Sequence, residues 1–420
     1  MKKFINASLP TSSTAFRKVE ILFDDKIRKI STDEIVTEEP VELIDLEGAL
    51  VLPGAIDTHT HILGDSASQA KQIQSFTKAA LSGGWTTIAE MSFHSDRPIF
   101  NLQDVQSFKD LVEANSHVDM ALWGNVNIAD YPYHAEAAQL LWTKGVVGIA
   151  LFSPSPNPHL QEMSFDEIMD LFMDIYESDT AFSFEGYNTE LSKKFSYAAQ
   201  RDAIKKLLRR MQENPIHIPK VSCWETIEFI NTISKRSDIS FSMSIRDLMD
   251  LLDGGGNKQK RLLDLVEHQI EFMDLLKTNK IYMFGNDLDS LADAKSDGSA
   301  GNPAKLAQYS YLWMLSELWK ARKIPLATCL KMISENPAKR LGLYPQKGCL
   351  EAGSDADFVI YDPEAVTPMK AFGYEKTLTG AIREVYLRGQ AMGNTNSKPT
   401  GVYLSRQTNP KRRYNKTSWI

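Results

Sequence analysis

From Ala49 onward the chain alternates two kinds of apolar spacing. Short runs of apolar and β-branched residues, which suit strands, are separated by longer stretches with apolar residues three and four apart, which suit helices. The run Ala49 to Leu52 leads through Pro53-Gly54 into a strand that ends at His61, and a helical stretch, Gln69 to Ser82, is closed by Gly83-Gly84. The strands that follow are Trp85 to Met91, Val118 to Trp123, Val146 to Phe152, Ala181 to Glu185, Ile216 to Val221, Ile239 to Met243 and Ile281 to Asp287. Between them lie the helical stretches Phe100 to Asn115, Ala135 to Lys144, Phe165 to Glu177, Arg201 to Glu213, Glu225 to Lys235 and Lys260 to Lys277. Eight strands alternating with helices predict a closed parallel barrel, with its site at the strands' C-terminal ends.

The flanks read differently. Val19 to Phe23 and Ile27 to Ile30 form a hairpin around the turn Asp24-Asp25-Lys26, and Phe358 to Tyr361 and Glu384 to Arg388 are strands. Two helices, Pro303 to Lys320 and Leu326 to Glu335, precede that second β-rich region, and the latter is predicted to stop before Asn336-Pro337. Neither chain end can bury a face alone, so the two are expected to pair. The predicted fold is α/β: a TIM-like (β/α)8 barrel over residues 53–345, with a small discontinuous β-sandwich domain built from residues 1–52 and 346–420.

Composition narrows the function classes. The 420 residues are 43% hydrophobic, enough for a sizeable core, and no apolar run approaches the ~20 residues of a membrane span. Met1 to Asn6 lacks the apolar core of a signal peptide, and Cys223, Cys329 and Cys349 form no pair at metal or redox spacing. A cytoplasmic protein with no thiolate zinc site is the expectation. The net charge of −7 speaks against nucleic acid as a partner, and the basic tail Arg406 to Ile420 reads as a solvated or subunit-gripping segment.

Candidate chemistry gathers at the first barrel strand. Side chains alternate along a strand, so Asp57, His59 and His61 are expected on one face, where both imidazoles reach one ion. Asp287 ends strand eight, which neighbours strand one in a closed barrel, so the aspartate should converge on the pair. His94 lies just past strand two at the same end, within reach of a substrate or an ion.

The sequence resembles the cyclic amidohydrolases of the amidohydrolase superfamily, which include dihydroorotases, allantoinases and dihydropyrimidinases. The resemblance rests on Pro53-Gly54-Ala55-Ile56-Asp57-Thr58-His59-Thr60-His61, Gly83-Gly84-Trp85-Thr86-Thr87, Lys144-Gly145-Val146-Val147-Gly148, Asn336-Pro337-Ala338-Lys339-Arg340-Leu341-Gly342-Leu343 and Gly353-Ser354-Asp355-Ala356-Asp357-Phe358-Val359. It implies a metal-bearing barrel with a discontinuous β-domain and, by position, a ligand set of His59, His61 and Asp287. The same carry-over exposes departures. The family's bridging lysine is replaced by Ala150, the strand-five ligand falls near Ser183 with Glu185 close by, and the strand-six ligand falls on Lys220. His217, three residues before Lys220, is expected to point to the opposite face.

Two imidazoles and one carboxylate suit a single zinc ion with an open position for water, with Glu185 or Glu90 as a source of a further oxygen. The expected activity is hydrolysis of a C–N bond in a small cyclic amide or ureide, with one zinc rather than two and Asp287 moving the proton. The alternative is a catalytically degenerate homologue acting as a binding or scaffolding subunit, with no metal and with Lys220 paired to Asp287. The resemblance also implies a homo-oligomer.

Overall fold

A computed structural model describes residues 1–11, 15–155, 157–160, 162–175, 180–210, 214–234, 238–254, 262–288, 303–371, 373–393 and 398–407. The chain begins with five strands: β1 (Lys2–Pro10), β2 (Phe16–Phe23), β3 (Ile27–Ser31), β4 (Glu42–Asp45) and β5 (Leu50–Pro53). The sequence pattern did not predict β1. Its register breaks between Phe4 and Ala7, where Asn6 takes a positive φ of 53°, so the period-two alternation that marks a strand is interrupted midway.

The barrel strands follow as β6 (Ala55–Thr60), β7 (Trp85–Glu90), β8 (Asp119–Asn125), β9 (Gly148–Ser153), β10 (Phe182–Gly186), β11 (Ile216–Ile218), β12 (Ile239–Ser244) and β13 (Met283–Gly285). They pair in parallel in chain order, as the alternating pattern requires. Every one of the strands β6 to β9 is buried along its whole length, because the apolar faces of the surrounding helices cover it. The segment after β13 differs from its prediction. The helix expected to stop before Asn336-Pro337 instead continues from Leu326–Leu330 through a wider turn, Lys331–Glu335, into Asn336–Arg340. Pro337 falls in the first turn of that last piece, where its missing N–H costs little.

The chain ends in β14 (Phe358–Ala371), β15 (Tyr374–Leu387) and β16 (Gln390–Ala391). These join the first five strands in one sheet, ordered β16-β15-β14-β5-β1-β2-β3, with β4 beside β1. Aromatic side chains from both chain ends form its core: Phe4 lies 4.4 Å from Phe23 and 5.1 Å from Tyr386, ring centre to ring centre. The basic tail lies outside the described residues beyond Gln407. Just before it, Leu404 N–H donates to Met120 O at 2.8 Å, laying the chain end against β8. Among the described residues no helix is long and apolar enough to cross a membrane.

A buried ionic cluster ties the two sheets together. Lys347 Nζ lies 2.6 Å from Asp119 on β8, 2.9 Å from Asp355 and 2.8 Å from Asp357, and Arg388, just past the end of β15, also pairs with Asp119. Burial works against the Lys347 charge, but the three carboxylates raise its pKa above the ordinary lysine value.

Candidate active site

The C-terminal ends of β6, β10 and β11 and the segment after β13 converge on one polar cluster. His59 Nε2 lies 3.4 Å and His61 Nε2 3.8 Å from Asp287 Oδ1, and one ligand atom from each residue lies within 4.8 Å of the others. Both imidazoles are fully buried, and among the described residues none of their four ring nitrogens has a hydrogen-bond partner. Buried polar atoms of this kind are rare unless something else satisfies them. Two nitrogens and a carboxylate oxygen at this spacing form a donor set suited to a divalent cation, so the residues fit the ion expected from sequence.

Lys220 lies inside the site. Its Nζ is 3.0 Å from Asp287 Oδ1 and 3.2 Å from Glu185 Oε1, and 5.4 Å from the centre of the Phe93 ring. Glu185 Oε2 reaches to 3.8 Å from His61 Nε2. Burial opposes ionisation of Asp287, but the Lys220 ammonium and His59 hold its pKa well below the usual carboxylate range. His61 is held well below the ordinary imidazole value by burial and then by the Lys220 charge, so it is neutral and able to ligate.

Three sequence expectations need correction. Asp57 does not join His59 and His61 in the cluster, and the register of β6 against β7 shifts between Asp57 and Thr60. The Asp57 carboxylate instead accepts from the backbone N–H of Asn286 at 2.8 Å, and burial pushes its pKa up to about 6. His217 does not point away from the site. β11 ends at Ile218 and Lys220 has a left-handed φ of 56°, so strand alternation does not extend from one to the other. His217 Nε2 lies 3.4 Å from Thr58 Oγ1, a contact between non-adjacent strands that only the barrel interior allows, and its Nδ1 lies 3.0 Å from Ser240 Oγ. Glu90 supplies no oxygen to the cluster. Its carboxylate accepts from Thr60 Oγ1 at 2.9 Å and from the N–H groups of Ile62, Leu63 and Ser92, which fixes the turn after His61. His94 stands to one side, its ring 6.1 Å from that of His61.

The cluster opens onto a cavity of about 790 Å3. Glu185, Lys220 and Asp287 form its floor, while Phe93, Tyr187, Phe195 and Tyr197 give it aromatic walls. Arg246 and Asp247, on the helix Ile245–Leu252 that follows β12, add charge at the side, where Asp247 accepts a hydrogen bond from Ser222. The sequence pattern singled out none of Tyr187, Phe195, Tyr197, Ser222, Arg246 or Asp247. The one signal available was their position just after strands five to seven.

Residues 50–392 match the family model described as "Amidohydrolase family". The chain belongs to the amidohydrolase family. Relatives named as a hydantoinase, an allantoinase and a dihydroorotase align with most of its length. It is 26% identical over 396 residues to the L-hydantoinase of Paenarthrobacter aurescens, covering 86% of this chain and 85% of that protein. It is 22% identical over 431 residues to an allantoinase of Deinococcus radiodurans, covering 90% and 92%, and 25% identical over 366 residues to a dihydroorotase of Aquifex aeolicus, covering 80% and 83%. Among solved structures, the L-hydantoinase from Arthrobacter aurescens superposes with a TM-score of 0.79 at 22% identity, covering 96% of this chain and 99% of that one. The relatives' names are those of hydrolases, consistent with a hydrolase, and the shared barrel with its appended sheet agrees with the fold expected from sequence.

Proposed function

We propose that this amidohydrolase hydrolyses a C–N bond in a cyclic amide or ureide, using one zinc ion held by His59, His61 and Asp287. The observation that carries the reading is the set of four buried imidazole nitrogens without hydrogen-bond partners among the described residues, two of them facing a carboxylate oxygen. When bound, the ion supplies an acidified water, with a pKa near 7, and polarises the scissile carbonyl. The protein's own groups do the rest. The Asp287 carboxylate, through the oxygen that does not face the imidazoles, would take the proton from the attacking water and return it to the ring nitrogen as the C–N bond breaks, so that one water is consumed and the opened product carries a carboxylate at one end and an N–H group at the other. Glu90 and Asp57 hold the backbone on either side of the cluster, fixing where His61 and Asp287 stand.

Substrate size follows from the cavity. A volume of about 790 Å3 exceeds a lone five- or six-membered ring, and the aromatic walls suit a ring carrying a substituent. Hydantoins, allantoin and dihydroorotate, named in the relatives, are the first compounds to test.

The non-catalytic alternative requires a Lys220–Asp287 ion pair, and that pair is present at 3.0 Å. That pair leaves the His59 and His61 ring nitrogens without a hydrogen-bond partner among the described residues, which the metal reading accounts for. Ring-opening assayed over hydantoin, 5-substituted hydantoins, allantoin, dihydrouracil and dihydroorotate tests the reading. Turnover of at least one, abolished by chelation and restored by zinc, is the expected result. No turnover of any by the zinc-loaded protein overturns it.

A further inference from the structure

Asp287 Oδ1 stands between the imidazole pair proposed to hold the ion and a lysine ammonium. On one side lie the imidazole nitrogens of His59 and His61, at 3.4 and 3.8 Å; on the other lies Lys220 Nζ, at 3.0 Å. Lys220 also reaches Glu185, 3.2 Å away on the neighbouring strand β10, so a single ammonium group bridges the two carboxylates of the cavity floor. An ammonium is a compact point charge, unlike a guanidinium, and fits the space between two carboxylates much as a small metal ion would. The backbone is bent to put it there: Lys220 and Asp287 both take left-handed φ values, 56° and 52°, that cost energy for side chains of this kind.

We propose that Lys220 is a built-in second cation, a positioning residue that occupies the far side of Asp287 so that the site takes one divalent ion and no more. The inference rests on the metal reading of His59, His61 and Asp287. Two consequences follow from electrostatics. The ammonium preforms the carboxylate floor before any metal arrives, because without it Glu185 and Asp287 would face each other as like charges. It also weakens the ion's hold, both by direct repulsion and by sharing the electrons of Asp287 Oδ1.

The test is zinc binding to the whole protein after chelator treatment, followed by calorimetry and by metal analysis at saturation, with wild type, Lys220→Gln and Lys220→Arg. The expected result is one zinc per chain at saturation in wild type and Lys220→Arg. Lys220→Gln should bind its first zinc at least about tenfold more tightly, since removing one charge near a divalent ion is a large change in a partly buried site. Lys220→Arg keeps the charge and should stay within about threefold of wild type. A second zinc bound by wild type, or a first zinc bound by Lys220→Gln no more tightly than by wild type, overturns the proposal. Wild type and both variants all failing to bind zinc overturns the metal reading itself, which separates the two failures.

Discussion

The carboxylate of Asp57 accepts the backbone N–H of Asn286 at 2.8 Å, across the seam where the first and last barrel strands meet. Among the described residues no backbone ladder joins β6 to β13, and the seam is held instead by this contact and by the His61 N–H donating to Leu288 O at 2.6 Å. Both bonds bracket Asp287. The closure of the barrel and the position of the proposed proton carrier are therefore one structural problem.

Asp57→Ala leaves the buried Asn286 N–H without an acceptor, at a cost of about 1–3 kcal/mol. Urea denaturation should show that loss, and zinc affinity should fall because Asp287 is no longer held. A variant with wild-type affinity would mean that the seam does not position Asp287.

Gly285 makes room for the same carboxylate. A Cβ at that position would lie 2.5 Å from Asp57 Oδ1, which is closer than real contacts allow. Gly285→Ala should displace Asp57 and reproduce the Asp57→Ala defect, and combining the two substitutions should cost less than the sum of their separate effects. Additive costs in a double-mutant cycle would contradict this coupling.

Glu90 and His217 contribute opposite pH slopes. Burial pushes Glu90 up to about 7 from 4.5, against the hydrogen bonds it accepts, so the stability it adds is fullest below pH 4.5 and is lost as pH rises through 7. Burial, and then Arg340, hold His217 well below 6.5, so its contribution is complete above pH 6.5 and is lost as pH falls below that value. Between pH 4.5 and 6.5 the slopes oppose each other. His217→Gln should make stability fall more steeply, or rise less, as pH increases through this window, and Glu90→Gln should do the reverse. Each change in slope is up to about 1.4 kcal/mol per pH unit, read from denaturation midpoints at pH 5 and 6.5.

Lys347 is the only cation among the described residues within 3 Å of Asp119, Asp355 and Asp357 together, and it is itself buried. Lys347→Met removes the cation that these three acidic groups share, leaving Asp119 to Arg388 and Asp355 to Lys26, and should cost about 3–5 kcal/mol. The protein that remains folded should keep its turnover number, because the cluster sits at the opposite end of β8 from the site.

Much of this was legible in the sequence. The alternation of strand and helix patterns located all eight barrel strands, and the spacing of His59 and His61 with Asp287 at the end of the last strand marked the cluster that the structure brings together. The failures share a cause. Strand alternation assumes an unbroken register, and it breaks at Asn6 in β1, between Asp57 and Thr60 in β6, and after Ile218 in β11. Those breaks hid β1, coincide with the turn of Asp57 toward the seam, and brought His217 and Lys220 into the same interior. The cavity walls Tyr187 and Phe195 come from the connection after β10, and Tyr197 opens the helix that follows it, a path that no local pattern encodes.

The most direct test of the metal reading is the metal content of protein purified without added metal, measured by plasma mass spectrometry for wild type, His59→Ala and His61→Ala. About one zinc per chain in wild type, lost in both variants while their folded structure by circular dichroism is retained, is the predicted result. Wild-type protein that carries no metal, and takes up none when zinc is supplied, would contradict it.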